Sequence, residues 1–388
     1  MERRTFLRSS LLAGAGLLAT RAVRATVAPS SSDIPEYLQR AAALVESSTV
    51  IDMLGLLTLD WPRLYAWQRD PSGFGDADFK RLLDSGISIF HPAVEPNSKE
   101  PYKAALRWMS HWNSLVHGQP RYFLPVLAAA DLDRARLEQR IGILLGFQNS
   151  DHFRGLPDVG FFHGLGQRVS QLTYNARNRL GSGCRDPQDI GLTPFGRQVV
   201  GEMNRVGMAV DLSHCSERTT LQTIDASDRP VLITHSNSGT LAPHPRNKSD
   251  RVLKAMAARH GVIGITAVKA FVQNKGTIED LLDHFVHVAG LVGVDHVGLG
   301  SDCDLDSRDA AGRVRPAYDI RGLRLERKAY DLAAGLFRRG FHEPEVAKVL
   351  GGNFRRALGE IWPALPPPPE PMPVAAPAAE ALQVCEPA

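Results

Sequence analysis

The chain has 388 residues, of which 43% are hydrophobic and 22% charged, so it can bury the core of one barrel-sized domain or of two ordinary domains. Its formal net charge at pH 7 is only +3, and no stripe of interleaved basic and aromatic residues is present, which argues against nucleic acid as a partner. Four cysteines without a Cys-x-x-Cys pair are too sparse for a disulfide framework.

The N-terminus has the three-part layout of a twin-arginine secretion signal. Arg3-Arg4-Thr5-Phe6-Leu7 precedes a short apolar run, and Val23-Arg24-Ala25 offers small residues for cleavage after Ala25. We therefore predict a signal peptide over 1–25 and a periplasmic or secreted mature protein. The alternatives are a basic amphipathic helix or a membrane anchor, but the run is short for a bilayer span, and no later segment has transmembrane character.

Composition also predicts the limits of the folded unit. Residues 26–33 are rich in Ser and Pro and indicate a mobile leader, whereas 363–388 form a Pro/Ala-rich segment typical of a disordered tail. The folded unit is then expected over 34–362.

Within that unit, eight short apolar runs alternate with amphipathic helical stretches, as expected for parallel strands buried on both faces. The runs lie at 49–53, 87–90, 141–147, 169–173, 207–212, 230–234, 262–267 and 296–300, and the clearest helical stretches at 195–206, 219–225, 250–260 and 278–292. Eight alternations predict an α/β fold with a (β/α)8 TIM-like barrel. A doubly wound open sheet is the alternative, which the lack of a Gly-rich nucleotide fingerprint after the first strand weakens.

Polar residues follow most of the predicted strands, at the end where barrel enzymes carry their chemistry. They are Asp52, His91, Gln148, Tyr174, His214, His235 and Asp302. Two neutral imidazoles at adjacent strand ends, His214 and His235, can share one metal ion. A single buried histidine is more often a hydrogen-bonded core residue, so the pair is the informative feature.

Several motifs recur here in the order typical of the membrane (renal) dipeptidase family of zinc metallopeptidases, which this sequence resembles. They are Leu192-Thr193-Pro194-Phe195-Gly196, Asp211-Leu212-Ser213-His214, His235-Ser236, His244-Pro245-Arg246-Asn247, Gly298-Leu299-Gly300-Ser301-Asp302 and Gly351-Gly352-Asn353. The resemblance covers about residues 49 to 360 and is strongest between 191 and 302. It indicates an exported, divergent member of that family with a metal-dependent hydrolase barrel.

The resemblance implies roles for four residues. His214 and His235 would bind one zinc ion, and Asp302 would be the carboxylate that transfers the proton. Arg246 would bind the carboxylate of the substrate, a task that suits a planar, permanently charged fork. The structural alternatives are a salt bridge for Arg246 and a helix cap for Asp302.

The sequence departs from the family at the other metal-facing positions. Leu54 and Leu56 replace a His-x-Asp pair, Gln148 replaces a bridging Glu, and Tyr174 replaces a His that faces the reaction intermediate. Apolar side chains cannot bind zinc, and a neutral amide is a weak ligand beside a carboxylate. We therefore expect one zinc ion per chain, with a further ligand from Asp302, Gln148 or water.

Three functions remain open from the sequence. The first is a metal-dependent hydrolase that cleaves dipeptides or similar small amides with a free carboxylate, in which Tyr174 could stabilise an oxyanion. The second is a non-catalytic protein that binds small peptides or carboxylates, and the third is a mononuclear hydrolase with a changed amide or ester substrate. The expected partner is a small peptide, without nucleic acid or a membrane span in the mature chain; a homodimer is left open.

Overall fold

The computed structural model describes residues 35–96, 98–272, 275–308 and 312–362. The predicted signal peptide, leader and tail (1–25, 26–33 and 363–388) lie outside these residues. No helix in the described ranges is long and apolar enough to cross a membrane.

A parallel sheet curls into a closed barrel at the centre of the molecule. Its strands are β1 Ile51–Asp52, β2 Ile89–Phe90, β3 Ala93–Val94, β4 Phe123–Pro125, β5 Ile141–Ile143, β6 Leu145–Phe147, β7 Gln167–Gln171, β8 Ala209–Asp211, β9 Leu232–Ile233, β10 Val262–Ile265 and β11 Val297–Leu299. The order is β3-β6-β7-β8-β9-β10-β11-β1-β2-β5-β4. Since β2 continues into β3 and β5 into β6, the pairs β2–β5 and β3–β6 close the ring.

The predicted TIM-like barrel is therefore confirmed, with each of the eight apolar runs contributing to one barrel strand. The run 169–173 was placed too late, because β7 begins at Gln167 with polar residues that are nonetheless buried. The amide of Gln167 bonds to His152 and to the backbone of Val169, which satisfies it in the core. The extra strand β4, beside β5 at the edge, was not predicted.

Helices surround the barrel. Those described are α1 Glu36–Ser47, α2 Trp61–Arg69, α3 Asp76–Asp84, α4 Pro101–Gly118, α5 Ala129–Leu137, α6 Leu156–Gly164, α7 Pro194–Val206, α8 Glu217–Ala226, α9 Asp250–Ala257, α10 Lys269–Val272, α11 Ile278–Val292, α12 Lys328–Arg338, α13 Glu343–Ala347 and α14 Asn353–Ile361. The four predicted helical stretches correspond to α7, α8, α9 and α11. Each of these four begins after a Ser or Thr whose side chain accepts a hydrogen bond from a first-turn backbone N–H: Thr193, Ser216, Ser249 and Thr277.

Successive strand residues face opposite sides, so one set of apolar side chains fills the barrel and another packs under the helices. The barrel filling includes Ile51, Ile89, Val169 and Leu232, together with apolar residues of α14. Phe354 of α14 lies against Gly298 of β11, where a Cβ atom would come within 2.4 Å of its ring. The polar chemistry is thereby left to the opposite, carboxyl end of the strands.

A buried ion pair fastens the last strand to the first. The ammonium of Lys328, on α12, lies 3.0 Å from Asp52 Oδ2, and both side chains have no solvent exposure. Lys328 also donates to Ser301 Oγ and to the carbonyl of Cys303, while Ser301 donates from N and Oγ to Asp52. Burial alone would lower the pKa of Lys328, but the charge of Asp52 and these contacts raise it above its usual value. The Lys328 side chain is therefore protonated at neutral pH.

Replacement of Lys328 by Met should strongly destabilise the protein, because it leaves the Asp52 carboxylate buried without its counter-charge. We expect a loss of about 3–5 kcal/mol in the free energy of unfolding, measured by urea denaturation. The double variant with Asp52→Asn should recover part of that loss. Equal stability of the single variant and the wild type would contradict a structural role for the pair.

Candidate active site

The carboxylate of Asp211 joins the ends of two adjacent strands. It lies at the last position of β8 and is buried, and it accepts hydrogen bonds from the backbone N–H and hydroxyl of Ser213 and from those of Thr234. Ser213 Oγ in turn accepts the backbone N–H of His235. This cluster holds the segments that carry His214 and His235 in a fixed relation.

The two imidazoles face each other, with 3.1 Å between His214 Nε2 and His235 Nε2. Thr234 uses its hydroxyl hydrogen on Asp211, so it accepts the Nδ1–H of His235. The amide oxygen of Asn175 lies 2.9 Å from His214 Nδ1 and accepts its proton. Both Nε2 atoms then carry lone pairs directed at each other, an arrangement that a shared cation stabilises. Such orientation through the other ring nitrogen is typical of metal-binding histidines.

Both histidines are held neutral. Burial holds the pKa of His214 and of His235 well below the usual value, and the positive charge of Arg246 lowers both further. A neutral imidazole is the form that binds a metal ion. The nitrogen donors present therefore fit one divalent cation.

The same residues do not fit a second ion. Leu54 and Leu56, at the positions of the expected His-x-Asp pair, are buried and offer no donor atom. Gln148 donates its amide nitrogen to the carbonyl of Ala93, so this neutral side chain can offer only its amide oxygen, which is a weak ligand beside a carboxylate. Among the residues that the structure describes, no group of three His, Cys, Asp or Glu side chains could hold a metal. Asp302 therefore does not complete the histidine pair in this arrangement.

Tyr174 covers one face of the pair. Its ring stacks on that of His214, with 4.1 Å between the centroids and an interplanar angle of 22°. The side chain is half-buried, and burial, followed by the negative charge of Asp302, raises the pKa of its hydroxyl. The phenol is thus protonated at neutral pH and can donate a hydrogen bond.

Arg246 lies under the histidines with only 1% of its surface exposed. Its Nη1 donates to the carbonyl of Ser213 and to Ser236 Oγ, and its Nη2 donates to the carbonyl of His235 at 2.9 Å. The buried Nε–H has no acceptor within the described residues. A guanidinium carries more N–H groups than these three acceptors use, so the edge formed by Nε and Nη2 retains free hydrogens. The described residues contain no salt bridge of Arg246, which was the structural alternative to carboxylate binding.

Asp302 follows β11 in a left-handed backbone conformation, with φ 58°, which its backbone N–H secures by donating to the carbonyl of Leu54. Burial raises the pKa of its carboxyl to about 7, against the lowering effect of Arg246. No described residue donates a hydrogen bond to this carboxylate, so the group is available to a ligand.

A cavity of about 1150 Å³ opens over these groups. The residues Gln148, Tyr174, His214, Arg246 and Asp302 line it together.

Of the other residues noted at strand ends, His91 is buried and hydrogen-bonded to the carbonyl of Leu144, while Asp52 is in its ion pair with Lys328. Sequence reasoning missed Asn175, Thr234 and Asp211 as orienting residues. The first lies directly beside Tyr174, and the other two lie within the motifs that carry the histidines.

Cys215 and Cys303 are buried near this end of the barrel. Burial raises the pKa of each thiol to about 11, so neither supplies a thiolate at neutral pH. Packing is therefore their role, as free buried cysteines commonly have.

A family model described as membrane dipeptidase (Peptidase family M19) matches residues 38–364. Dipeptidase aclJ of Aspergillus oryzae is 30% identical over 307 residues, which cover 74% of this chain and 70% of that protein. Dipeptidase tcpJ of Claviceps purpurea is 37% identical over 206 residues, or 52% of this chain, and the match spans only 46% of that relative's length.

Among solved structures, an amidohydrolase from Pseudomonas aeruginosa matches with a TM-score of 0.71 and 30% identity, over 83% of this chain and 99% of that chain. The probable dipeptidase PvdM from Pseudomonas aeruginosa gives a TM-score of 0.71 over 84% of this chain and 98% of that chain. Its identity is only 19%, so this second likeness concerns the fold alone.

The purified protein should bind at most one metal ion per chain, because the described residues assemble only one pair of facing histidine nitrogens. Elemental analysis should show that His214→Ala and His235→Ala each lose it, whereas His117→Ala, an exposed histidine on α4, keeps it. Asn175→Ala should weaken binding by about 10- to 100-fold, because it removes the partner of His214 Nδ1. Two equivalents in the wild type would show that a second ligand set exists.

Proposed function

Because the chain belongs to the membrane dipeptidase family, we propose that it hydrolyses dipeptides or similar small amides with a free carboxylate, using one metal ion held by His214 and His235. The observation that carries this proposal is the pair of oriented imidazoles, of which His214 lines a cavity that also exposes the unpartnered carboxylate of Asp302. We further propose that the ion is zinc, which nitrogen ligands suit, and that the protein works after twin-arginine export.

When bound, the metal would polarise the amide carbonyl of the substrate. Asp302 would take a proton from the attacking water and return it to the leaving nitrogen, since its carboxyl has a pKa near neutrality and no competing donor. Tyr174, protonated and stacked on His214, would donate a hydrogen bond to the oxygen that becomes negative in the transition state. Tyr174, His214 and Asp302 line the same cavity.

Arg246 would bind the carboxylate of the substrate through the edge formed by Nε and Nη2. Its Nη contacts to Ser213, Ser236 and the carbonyl of His235 fix the plane of the guanidinium. A bidentate ion pair formed in a buried site recognises the flat geometry of a carboxylate. Substrate alignment beside the histidines would follow from this anchor.

A non-catalytic binding protein is the second candidate. It is favoured by the two leucines at the positions of the expected His-x-Asp pair, which remove half of the family's metal centre. Such a protein would keep the use of Arg246 as an anchor but would not need Asp302.

A panel of dipeptides, tested with the metal-loaded mature protein, distinguishes these candidates. We expect hydrolysis that falls by at least about 100-fold in kcat for Asp302→Asn, because that change removes the proton acceptor and keeps the shape. The control is Asp306→Asn, which changes a carboxylate that does not line the cavity and should keep full activity. Peptide binding without turnover in the wild type would favour the binding protein.

Arg246→Lys should distinguish a role in recognising the substrate carboxylate from a structural role, since lysine keeps the charge and loses the planar fork. We expect the KM for peptides with a free carboxylate to rise by about tenfold or more, and the KM for C-terminally amidated peptides to change less. Steady-state kinetics with matched pairs of peptides provide the measurement. Equal losses for both peptides would assign Arg246 a purely structural role.

A further inference from the structure

The cavity extends well beyond the groups that a dipeptide would contact. Its volume of about 1150 Å³ exceeds the range of about 300–1000 Å³ that is typical of sites for drug-sized ligands. His214, Arg246 and Asp302 occupy the floor, whereas the outer part is lined by residues of α2 and α4. A dipeptide held at the floor would leave this outer part unfilled.

The outer part has an aromatic wall, which we define as Trp61, Tyr65, Trp108 and His111. The Trp61 ring lies 6.3 Å from Tyr65 and 6.4 Å from Trp108, and Tyr65 meets His111 edge-on at 6.3 Å. Tyr65 remains 44% exposed, although it lines the cavity. Such rings supply large, rigid contact area for a flat apolar group.

Unpaired positive charge accompanies the wall. Arg69 at the end of α2 and Arg107 on α4 line the same cavity, as does Arg185 on the opposite side. Within the described ranges, none of these three guanidinium groups has a hydrogen-bond or ion-pair partner. Most other arginines of the described chain are paired, for example Arg63 with Asp78 and Arg355 with Asp133. With Glu95 and Asp302 as the acidic residues in the lining, the cavity favours an anion.

The loop after β1 connects the floor to this wall. Leu56 and Leu59 line the cavity between the strand end and Trp61. The segment that lacks the expected His-x-Asp pair thus provides an apolar path from the histidines to the aromatic wall. A substrate anchored by Arg246 through its carboxylate can extend along this path with its other end.

We propose that the outer part of the cavity binds an aromatic group carrying negative charge, attached to the amino side of the substrate. The substrates would then be small peptides or amides with an acidic aromatic acyl group, rather than unmodified dipeptides. The direction of the substrate rests on the proposed function, whereas the preference for an aromatic anion rests on the wall and the unpaired arginines alone. Arginine suits this ligand because its planar cation both pairs with an anion and stacks on a ring.

Binding can be measured without turnover by using an Ala-Ala isostere in which a ketomethylene group replaces the peptide bond. Its amine would carry an acetyl, a benzoyl or a 4-carboxybenzoyl group, and the Kd of each for the metal-loaded mature protein would be obtained by calorimetry. We expect the 4-carboxybenzoyl probe to bind at least about tenfold more tightly than the acetyl probe, with the benzoyl probe between them.

Matched variants locate the effect. Arg69→Gln and Arg107→Gln should each weaken the 4-carboxybenzoyl probe by about threefold to tenfold and leave the acetyl probe unchanged. Tyr65→Ala should weaken both aromatic probes. Arg251→Gln, an exposed arginine outside the cavity, and Phe161→Ala, an exposed aromatic residue on α6, serve as controls that should change none of the three values.

Equal Kd values for the acetyl and 4-carboxybenzoyl probes would overturn the inference, as would a preference that the Arg69, Arg107 and Tyr65 variants retain. The outcome is separable from the proposed function. Hydrolysis of plain dipeptides without any aromatic preference would leave the hydrolase standing and remove this inference. A preference for the aromatic probes that depends on the wall, in a protein without hydrolase activity, would support this inference and contradict the proposed function.

Discussion

The carboxylate of Asp211 is the constraint on which the site depends. Its four hydrogen bonds replace those that water would make to the carboxylate, so its burial costs little free energy. The same bonds fix the ends of β8 and β9 to each other. Through Ser213 and Thr234 the same group determines the position of the His235 backbone and the tautomer of its ring. The geometry of the histidine pair therefore follows from a residue that contacts neither Nε2 atom.

Fixed positive charge under the pair complements this arrangement. Arg246 and Lys248 are both buried and donate to backbone carbonyls around His214 and His235. Burial lowers the pKa of Lys248 to about 8, and the nearest partners of its ammonium are the carbonyls of Leu212 and Cys215. Two cations beside two imidazoles disfavour protonation of the rings, which keeps their lone pairs available.

The opposite side of the barrel mouth is organised differently. There the loop after β1 carries apolar residues where the family places metal ligands, and it leads into the aromatic wall of α2 and α4. Asp52, the last residue of β1, pairs with the ammonium of Lys328 and accepts a hydrogen bond from Ser301, so it is not directed at a metal ion. One half of the mouth is thus built around nitrogen donors and the other around apolar and aromatic contact, a division consistent with one metal ion and an extended ligand.

The barrel and the family could be inferred from the sequence alone, because buried parallel strands are continuous apolar runs and the motifs around His214 and His235 are local in the chain. Short-range patterns also predicted α7 and α11 with nearly correct ends, since capping is a local interaction. The loss of the His-x-Asp pair was likewise readable, because Leu54 and Leu56 cannot bind a metal whatever the fold.

Only the tertiary structure decided how residues distant in the chain meet. The Lys328–Asp52 pair joins positions far apart in sequence, and no local pattern reveals it. Asn175 orients His214 only because β7 and β8 are neighbours in the sheet. The aromatic wall combines α2 and α4, whose rings and arginines show no pattern along the chain. Side-chain direction and long-range proximity depend on closure of the barrel, which no single segment of sequence encodes.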